Sequence, residues 1–98
     1  MQNGEWLDAY LSHLGVERNL SPATIRSYGE DLRHLVFWLD DKKLALADLT
    51  IEKLDDFLNA VAADLEYSPT SVARHFSSLR GFLRYLLQEK AISFSTDA

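Results

Sequence analysis

The chain has 98 residues, of which 47% are apolar, enough for one hydrophobic core. Its four glycines, two prolines and absence of cysteine exclude collagen-like and disordered classes, a disulfide framework and a thiolate metal site. The formal net charge of −5 argues against nucleic-acid binding by the chain as a whole, so the distribution of charge decides the question.

The first two predicted helices are joined by a short connection. Residues 1–4 are predicted to be a frayed start, and apolar residues at helical spacing over 6–14 predict a first helix that ends near Gly15. Ser21 and Pro22 have the residue types of an N-cap and a first helical position, so a second helix begins there. The predicted core stripe of this helix consists of Ile25, Tyr28, Leu32, Leu35, Val36 and Leu39.

The second half of the chain contains two more predicted helices. The charged residues 40–43 end the second helix, 44–49 form a loop, and Thr50 caps a third helix. Ser68 and Pro69 open a fourth helix that runs to Gln88. The apolar face of the third helix is Leu54, Phe57, Leu58 and Val61; that of the fourth is Val72, Phe76, Leu79, Leu83, Leu86 and Leu87, with Phe82 at its edge.

Three helix starts share a further signal. An apolar residue precedes each cap and another occupies the fourth helical position, which is the hydrophobic staple. The pairs are Leu20 with Ile25, Leu49 with Leu54, and Tyr67 with Val72. Together with the absence of strand-like alternation, they predict an all-α fold, a small bundle of four main helices.

The fourth predicted helix has a basic outer face. Between Ser68 and Gln88 the chain has none of its 15 acidic residues. An arc of about 120° opposite the apolar stripe is expected to turn its arginines outward together, clear of acids. A phosphate-binding surface and a merely solvated face are equally good interpretations of this helix alone. The residues of this arc are Arg74, Ser77, Arg80, Gly81 and Arg84.

The second helix presents a weaker candidate face. Arg26, Gly29 and Arg33 share a stripe opposite the core, and Glu30 flanks it. A glycine inside a helix costs about 1 kcal/mol relative to alanine, which indicates a packing or functional reason for it. A solvated role for the two arginines is somewhat favoured over binding.

The sequence contains no credible catalytic set. His13, His34 and His75 fall on different helices, and adjacent acids on a helix point about 100° apart, so neither a metal site nor a carboxylate pair is expected. No cofactor is predicted. The absence of a membrane-length apolar run or a signal-peptide pattern predicts a cytoplasmic domain with no membrane partner.

Two stretches of the chain resemble the N-terminal core-binding domain of tyrosine recombinases, the phage-integrase family, and especially its Xer-type members. The stretch Leu20–Leu39 is similar to the family pattern at Thr24, Tyr28, Asp31, Leu32, Trp38 and Leu39. The stretch Ser68–Leu87 is similar to it at Ser71, Arg74, Ser77, Leu79, Arg80, Phe82, Tyr85 and Leu86. The chain departs from the pattern at Gly29-Glu30, where Xer proteins commonly have two basic residues.

The resemblance implies a SAM-like fold of two crossed helical hairpins, with residues 1–90 as a DNA-binding domain and 91–98 as a tail or the start of a linker. It implies that the helices starting at Ser21 and Ser68 lie against the major groove of double-stranded DNA. Catalysis would belong to a separate C-terminal domain of the parent chain, which would act as a tetramer on DNA, whereas the isolated domain is expected to be monomeric. The DNA-binding residues expected on this basis are Arg26, Arg33, Ser71, Arg74, Ser77, Arg80 and Arg84.

A second hypothesis is a non-catalytic protein–protein interaction module. Between Thr50 and Glu66 one base, Lys53, faces five acids, so the domain is expected to have an acidic side. Glu52, Asp55 and Asp56 would meet a basic partner there. A third, structural interpretation is that the chain caps a larger enzyme.

Overall fold

The computed structural model describes residues 1–64 and 69–93, with side chains described over 1–61 and 73–93. The four helices are α1 (Asn3–Val16), α2 (Pro22–Asp41), α3 (Ile51–Asp64) and α4 (Pro69–Gln88). A short 3₁₀ helix (Leu46–Asp48) lies inside the segment expected to be a loop. The ranges 1–64 and 69–93 contain no strand, and the predicted all-α fold with four main helices is confirmed.

Two of the predicted helix caps are present. The Ser21 hydroxyl accepts a hydrogen bond from the Thr24 N–H at 3.2 Å, with Pro22 at the first position of α2. The Thr50 hydroxyl accepts one from the Lys53 N–H at 3.2 Å. These bonds satisfy N–H groups that have no partner inside a helix, which explains why both helices begin where the sequence predicts. The expected Ser68 cap and the Tyr67–Val72 staple fall outside the described side chains.

The prediction of a frayed start at residues 1–4 is wrong. Asn3 begins α1 and is buried, and its amide donates to the Leu44 carbonyl at 2.8 Å and to an Asp40 carboxylate oxygen at 3.0 Å. Its side-chain oxygen accepts from the Leu46 N–H at 2.8 Å. One polar residue therefore ties the start of α1 to the end of α2 and to the 3₁₀ helix, a link that hydrophobic periodicity does not reveal.

The core lies between α2 and the other three helices, each of which contacts α2. Its most deeply buried side chains come from α1, α2, α4 and the helices' connections, and α3 adds the fully buried Phe57. Beyond α4, Ile92 is also buried. The predicted domain boundary at residue 90 stays a prediction. Side chains below 2% exposure include Leu14, Leu32, Leu35, Leu39, Leu46, Phe82 and Leu86.

The buried face of α4 is rotated by about 60° from the predicted stripe. Phe76, expected in the core, is 48% exposed, whereas His75 and Ser78 are 4% and 0% exposed. Phe82, expected at the edge, is fully buried. The Ser78 hydroxyl donates to the His75 carbonyl at 2.9 Å, so a polar side chain can occupy this interior position with its donor satisfied.

Candidate nucleic-acid interface

The outward face of α4 carries three of the predicted site residues. Ser77, Arg80 and Arg84 are exposed. The described part of α4, residues 73–88, contains no acidic residue. Within the described side chains Arg80 forms no ion pair. An exposed guanidinium on a helix flanked by small polar residues can bind a phosphate oxygen.

The prediction that Gly81 lies on this outward arc is wrong. A Cβ atom added at Gly81 would come 2.5 Å from the Tyr10 hydroxyl oxygen, so the glycine faces α1. Gly29 on α2 has a similar role, since a Cβ there would lie 3.1 Å from a methyl group of Leu11. Both glycines allow α1 to pack closely, which is the packing alternative considered for Gly29.

Arg74 is not clear of acids as expected. Its Nε and Nη2 atoms donate to the two carboxylate oxygens of Asp31 on α2, at 2.9 and 3.0 Å. The Asp31 side chain is 4% exposed, whereas that of Arg74 remains 43% exposed. The pair therefore joins a buried carboxylate to a guanidinium at the surface of the α2–α4 contact.

His75 lies beside this pair. Its Nδ1 atom is 4.0 Å from a carboxylate oxygen of Asp31, and its ring centre is 6.3 Å from that of His34. Burial lowers the pKa of His75 below its ordinary value of 6.5, the Asp31 charge opposes this, and His34 and Arg74 lower the pKa further. His75 is consequently neutral at pH 7, and the arginine is the principal cationic partner of Asp31.

Two further arginines, Arg18 and Arg84, act electrostatically on the Tyr10 hydroxyl. Burial raises the pKa of Tyr10, and the positive charges of Arg18 and Arg84 partly oppose this. Arg18 and Arg84 are therefore both close enough to Tyr10 for their charges to act on it, although they are 66 residues apart in the numbering. Arg18 is exposed and was missed as a candidate, because it lies in a loop without helical periodicity.

Arg33 of α2 does not lie beside Arg74. Residues two apart on a helix point in nearly opposite directions, so Arg33 lies across α2 from Asp31. The Arg33 Nη1 atom is 3.7 Å from where a Gly29 Cβ would lie, next to the α1–α2 contact. Arg26 and Arg33 are exposed and form no ion pair within the described side chains. Ser71, the remaining candidate, lies outside those side chains.

The described residues contain no group of three or more His, Cys, Asp or Glu side chains placed to hold a metal ion. None of their helices is both long and apolar enough to cross a membrane.

Comparison with known proteins defines the class of this small all-α domain. The family described as "Phage integrase, N-terminal SAM-like domain" matches residues 7–90. The chain therefore belongs to this family, as the two motifs indicated. No solved structure gave a significant match.

Several curated relatives are tyrosine recombinases of the Xer type. The chain is 40% identical over 87 residues to "Tyrosine recombinase XerD" of Pseudomonas putida, covering 89% of the chain and 29% of the relative. It is 34% identical over 91 residues to "Tyrosine recombinase XerC" of Halalkalibacterium halodurans, covering 92% and 30% respectively. It is also 37% identical over 90 residues to the XerD of Haemophilus influenzae, with 92% and 30% coverage.

The chain thus spans about 30% of the length of the curated relatives it matches. Since the matched family is the N-terminal domain, the catalytic domain of these recombinases lies outside the matched region. The DNA-binding role of each candidate residue stays a prediction.

Proposed function

We propose that this chain is the DNA-binding domain of a site-specific tyrosine recombinase and grips a recombination half-site through the major groove during strand exchange. The observation that carries the proposal is the exposed face of α4 with Arg80 and Arg84, on a helix whose described residues 73–88 include no acid, in a chain that belongs to a recombinase domain family. Arginines on one helix face can position a domain on DNA through the phosphates.

The proposal includes the larger protein. A C-terminal catalytic domain of the same parent chain would complete the grip on double-stranded DNA, and the parent would assemble as a tetramer on its site. The domain alone would be monomeric and would bind weakly, because its net charge of −5 repels DNA at long range. It would act where DNA is held, which for bacterial recombinases is the cytoplasm.

A salt titration of the 98-residue chain on a fluorescent mixed-sequence DNA duplex tests the proposal. If the three arginines of α4 each bind a phosphate, log K against log salt falls with a slope of about −2.7; contacts from Arg26 and Arg33 as well would give about −4.5. Arg80→Ala should weaken binding and reduce the slope by about 0.9. Lys53→Ala on the acidic helix α3 removes the same charge and serves as the matched control, with little expected change.

The alternative hypothesis gives a different result. Glu52, Asp55 and Asp56 on α3 are exposed, as a protein–protein module with an acidic surface requires. No DNA binding at low salt, together with nuclease-insensitive retention of a basic protein that Asp55→Asn abolishes, would favour that module and contradict DNA binding.

A further inference from the structure

The contact between α2 and α4 contains the Asp31 carboxylate, whose negative charge is unfavourable beside a DNA phosphate. Asp31 is the only acid that forms an ion pair with a residue of α4 among the described side chains. Its negative charge lies within hydrogen-bond distance of Arg74, a candidate DNA-binding residue. By Coulomb's law alone, a carboxylate at a phosphate-binding face weakens the attraction to DNA.

We propose that Asp31 is a positioning residue that holds the Arg74 guanidinium in the orientation in which it meets a DNA phosphate. This inference rests on the proposed function. Asp31 makes no contact with DNA in this arrangement, because its carboxylate is buried beneath the arginine that it binds.

The geometry of the pair supports this role. A guanidinium is planar and carries five N–H donors in a fixed fork. The bonds from Nε and Nη2 to the two oxygens of Asp31 fix both the position and the plane of that fork. The Arg74 side chain is still 43% exposed, so the guanidinium held by Asp31 remains at the surface, where a phosphate can approach it.

The surroundings of Asp31 explain why it can perform this task. A carboxylate 4% exposed cannot turn into water, so it is a rigid anchor. His75 approaches the same carboxylate at 4.0 Å from the α4 side, but its lowered pKa keeps it neutral at pH 7. An ordered arginine loses less side-chain freedom on binding than one that samples many rotamers, which favours the bound state.

Asp31→Asn distinguishes a positioning role from a simple effect of charge, because the two predict different changes in DNA affinity. The substitution makes the protein less negative, so without a positioning role it should leave DNA binding unchanged or tighten it. We expect the dissociation constant to rise by about 2- to 10-fold instead, the cost of ordering one long side chain. Glu30→Gln removes the same charge from the exposed neighbouring position on α2 and is the matched control, expected to leave binding unchanged or tighter.

Arg74→Lys keeps the charge but removes the two-pronged contact, and it provides a second test if Asp31→Asn does not fold. We expect it to weaken binding as much as Arg74→Gln does. The proposal is overturned if Asp31→Asn binds like Glu30→Gln, or if Arg74→Lys binds like the unmodified chain. Circular dichroism and a melting curve for each variant restrict the comparison to folded protein.

Failure of this inference differs from failure of the proposed function. If the unmodified chain shows no salt-dependent binding to the duplex, the proposed function fails. If it binds and Arg80→Ala weakens that binding while the Asp31 and Arg74 variants behave as simple charge changes, only the positioning role fails. A purely structural role of the pair would lower the melting temperature without changing the affinity of the folded domain.

Discussion

The substitution Gly81→Ala tests how tightly α4 packs against α1. The Cβ of Gly81→Ala would come 2.5 Å from the Tyr10 hydroxyl oxygen, well inside van der Waals contact. The Tyr10 ring is 3% exposed and lies 5.2 Å from the ring centres of both Phe82 and Tyr85. The ring therefore has little room to withdraw, and the substitution must shift one helix or the other.

Two opposing terms set the size of the effect. Overpacking of this kind costs about 1–3 kcal/mol, while alanine is favoured over glycine in a helix by about 1 kcal/mol. Gly81→Ala should therefore lower the free energy of unfolding by up to about 2 kcal/mol. In a Tyr10→Phe background the clashing oxygen is gone and the next atom, Cζ, is 3.8 Å away, an ordinary contact. There the same substitution should stabilise by up to about 1 kcal/mol.

Urea unfolding followed by circular dichroism, applied to the unmodified chain, both single variants and the double variant, measures the coupling energy directly. We expect a coupling of about 1–3 kcal/mol between positions 10 and 81. Gly4→Ala on α1 is the control, because a Cβ there would meet no atom within 4 Å and should not destabilise. Equal effects of Gly81→Ala in both backgrounds would refute the packing argument.

Three further perturbations follow from polar contacts in the interior. Asn3→Ala should lower the free energy of unfolding by about 1–3 kcal/mol, since it leaves the Leu46 N–H without its acceptor; a loss in urea stability no larger than that of the exposed Gln2→Ala would contradict this. Arg74→Ala should lower the free energy of unfolding by about 3 kcal/mol, and by more than Asp31→Asn does. The reason is that Arg74→Ala leaves a carboxylate buried without its guanidinium partner, whereas Asp31→Asn leaves an arginine that can turn to water. A larger loss of stability in urea unfolding for Asp31→Asn would contradict this. Because the pKa of His75 in the folded chain is below 6.5, the unfolded chain binds more protons than the folded chain just below pH 6.5. The contribution of His75 to stability is therefore complete above pH 6.5 and declines as the pH falls toward the folded-state pKa. His75→Gln should reduce the difference in urea midpoint between about pH 7.5 and about pH 5.5, and an unchanged difference would show that other groups cause it.

The starts of α2 and α3 could be predicted because each is determined by local chemistry. A hydroxyl at Ser21 or Thr50 can reach an N–H three residues on whatever the rest of the fold does. The family could likewise be predicted from two spaced motifs. These features need no knowledge of which helices become neighbours.

The buried face of α4 could be predicted only in part, because its position depends on α2: Leu79, Leu83 and Leu86 are buried as predicted, whereas Phe76 is exposed. Hydrophobic periodicity assigned Phe76 to the core and left His75 outside. In the structure the Asp31 carboxylate binds Arg74 where α2 and α4 meet. His75, the next residue, lies in the interior, and its ring centre is 6.1 Å from that of Phe57. A polar contact between residues 43 positions apart has no signature in the local pattern.

The same contact bears on how an acidic domain could bind DNA. Residues 73–90 carry four basic residues and one acid, opposite in sign to the chain's net charge of −5. Charges farther than about 8 Å from a phosphate are largely screened at physiological salt, and the domain measures 32 × 32 × 27 Å, so acids on its far side contribute little to contacts at α4. Among the described side chains, Asp31 is an acid close enough to α4 to escape this screening, and its charge is matched at 2.9 Å by Arg74. On the proposed function, affinity should therefore depend on the arginines of α4 rather than on the net charge, and neutralising acids of α3 should change it far less than Arg80→Ala.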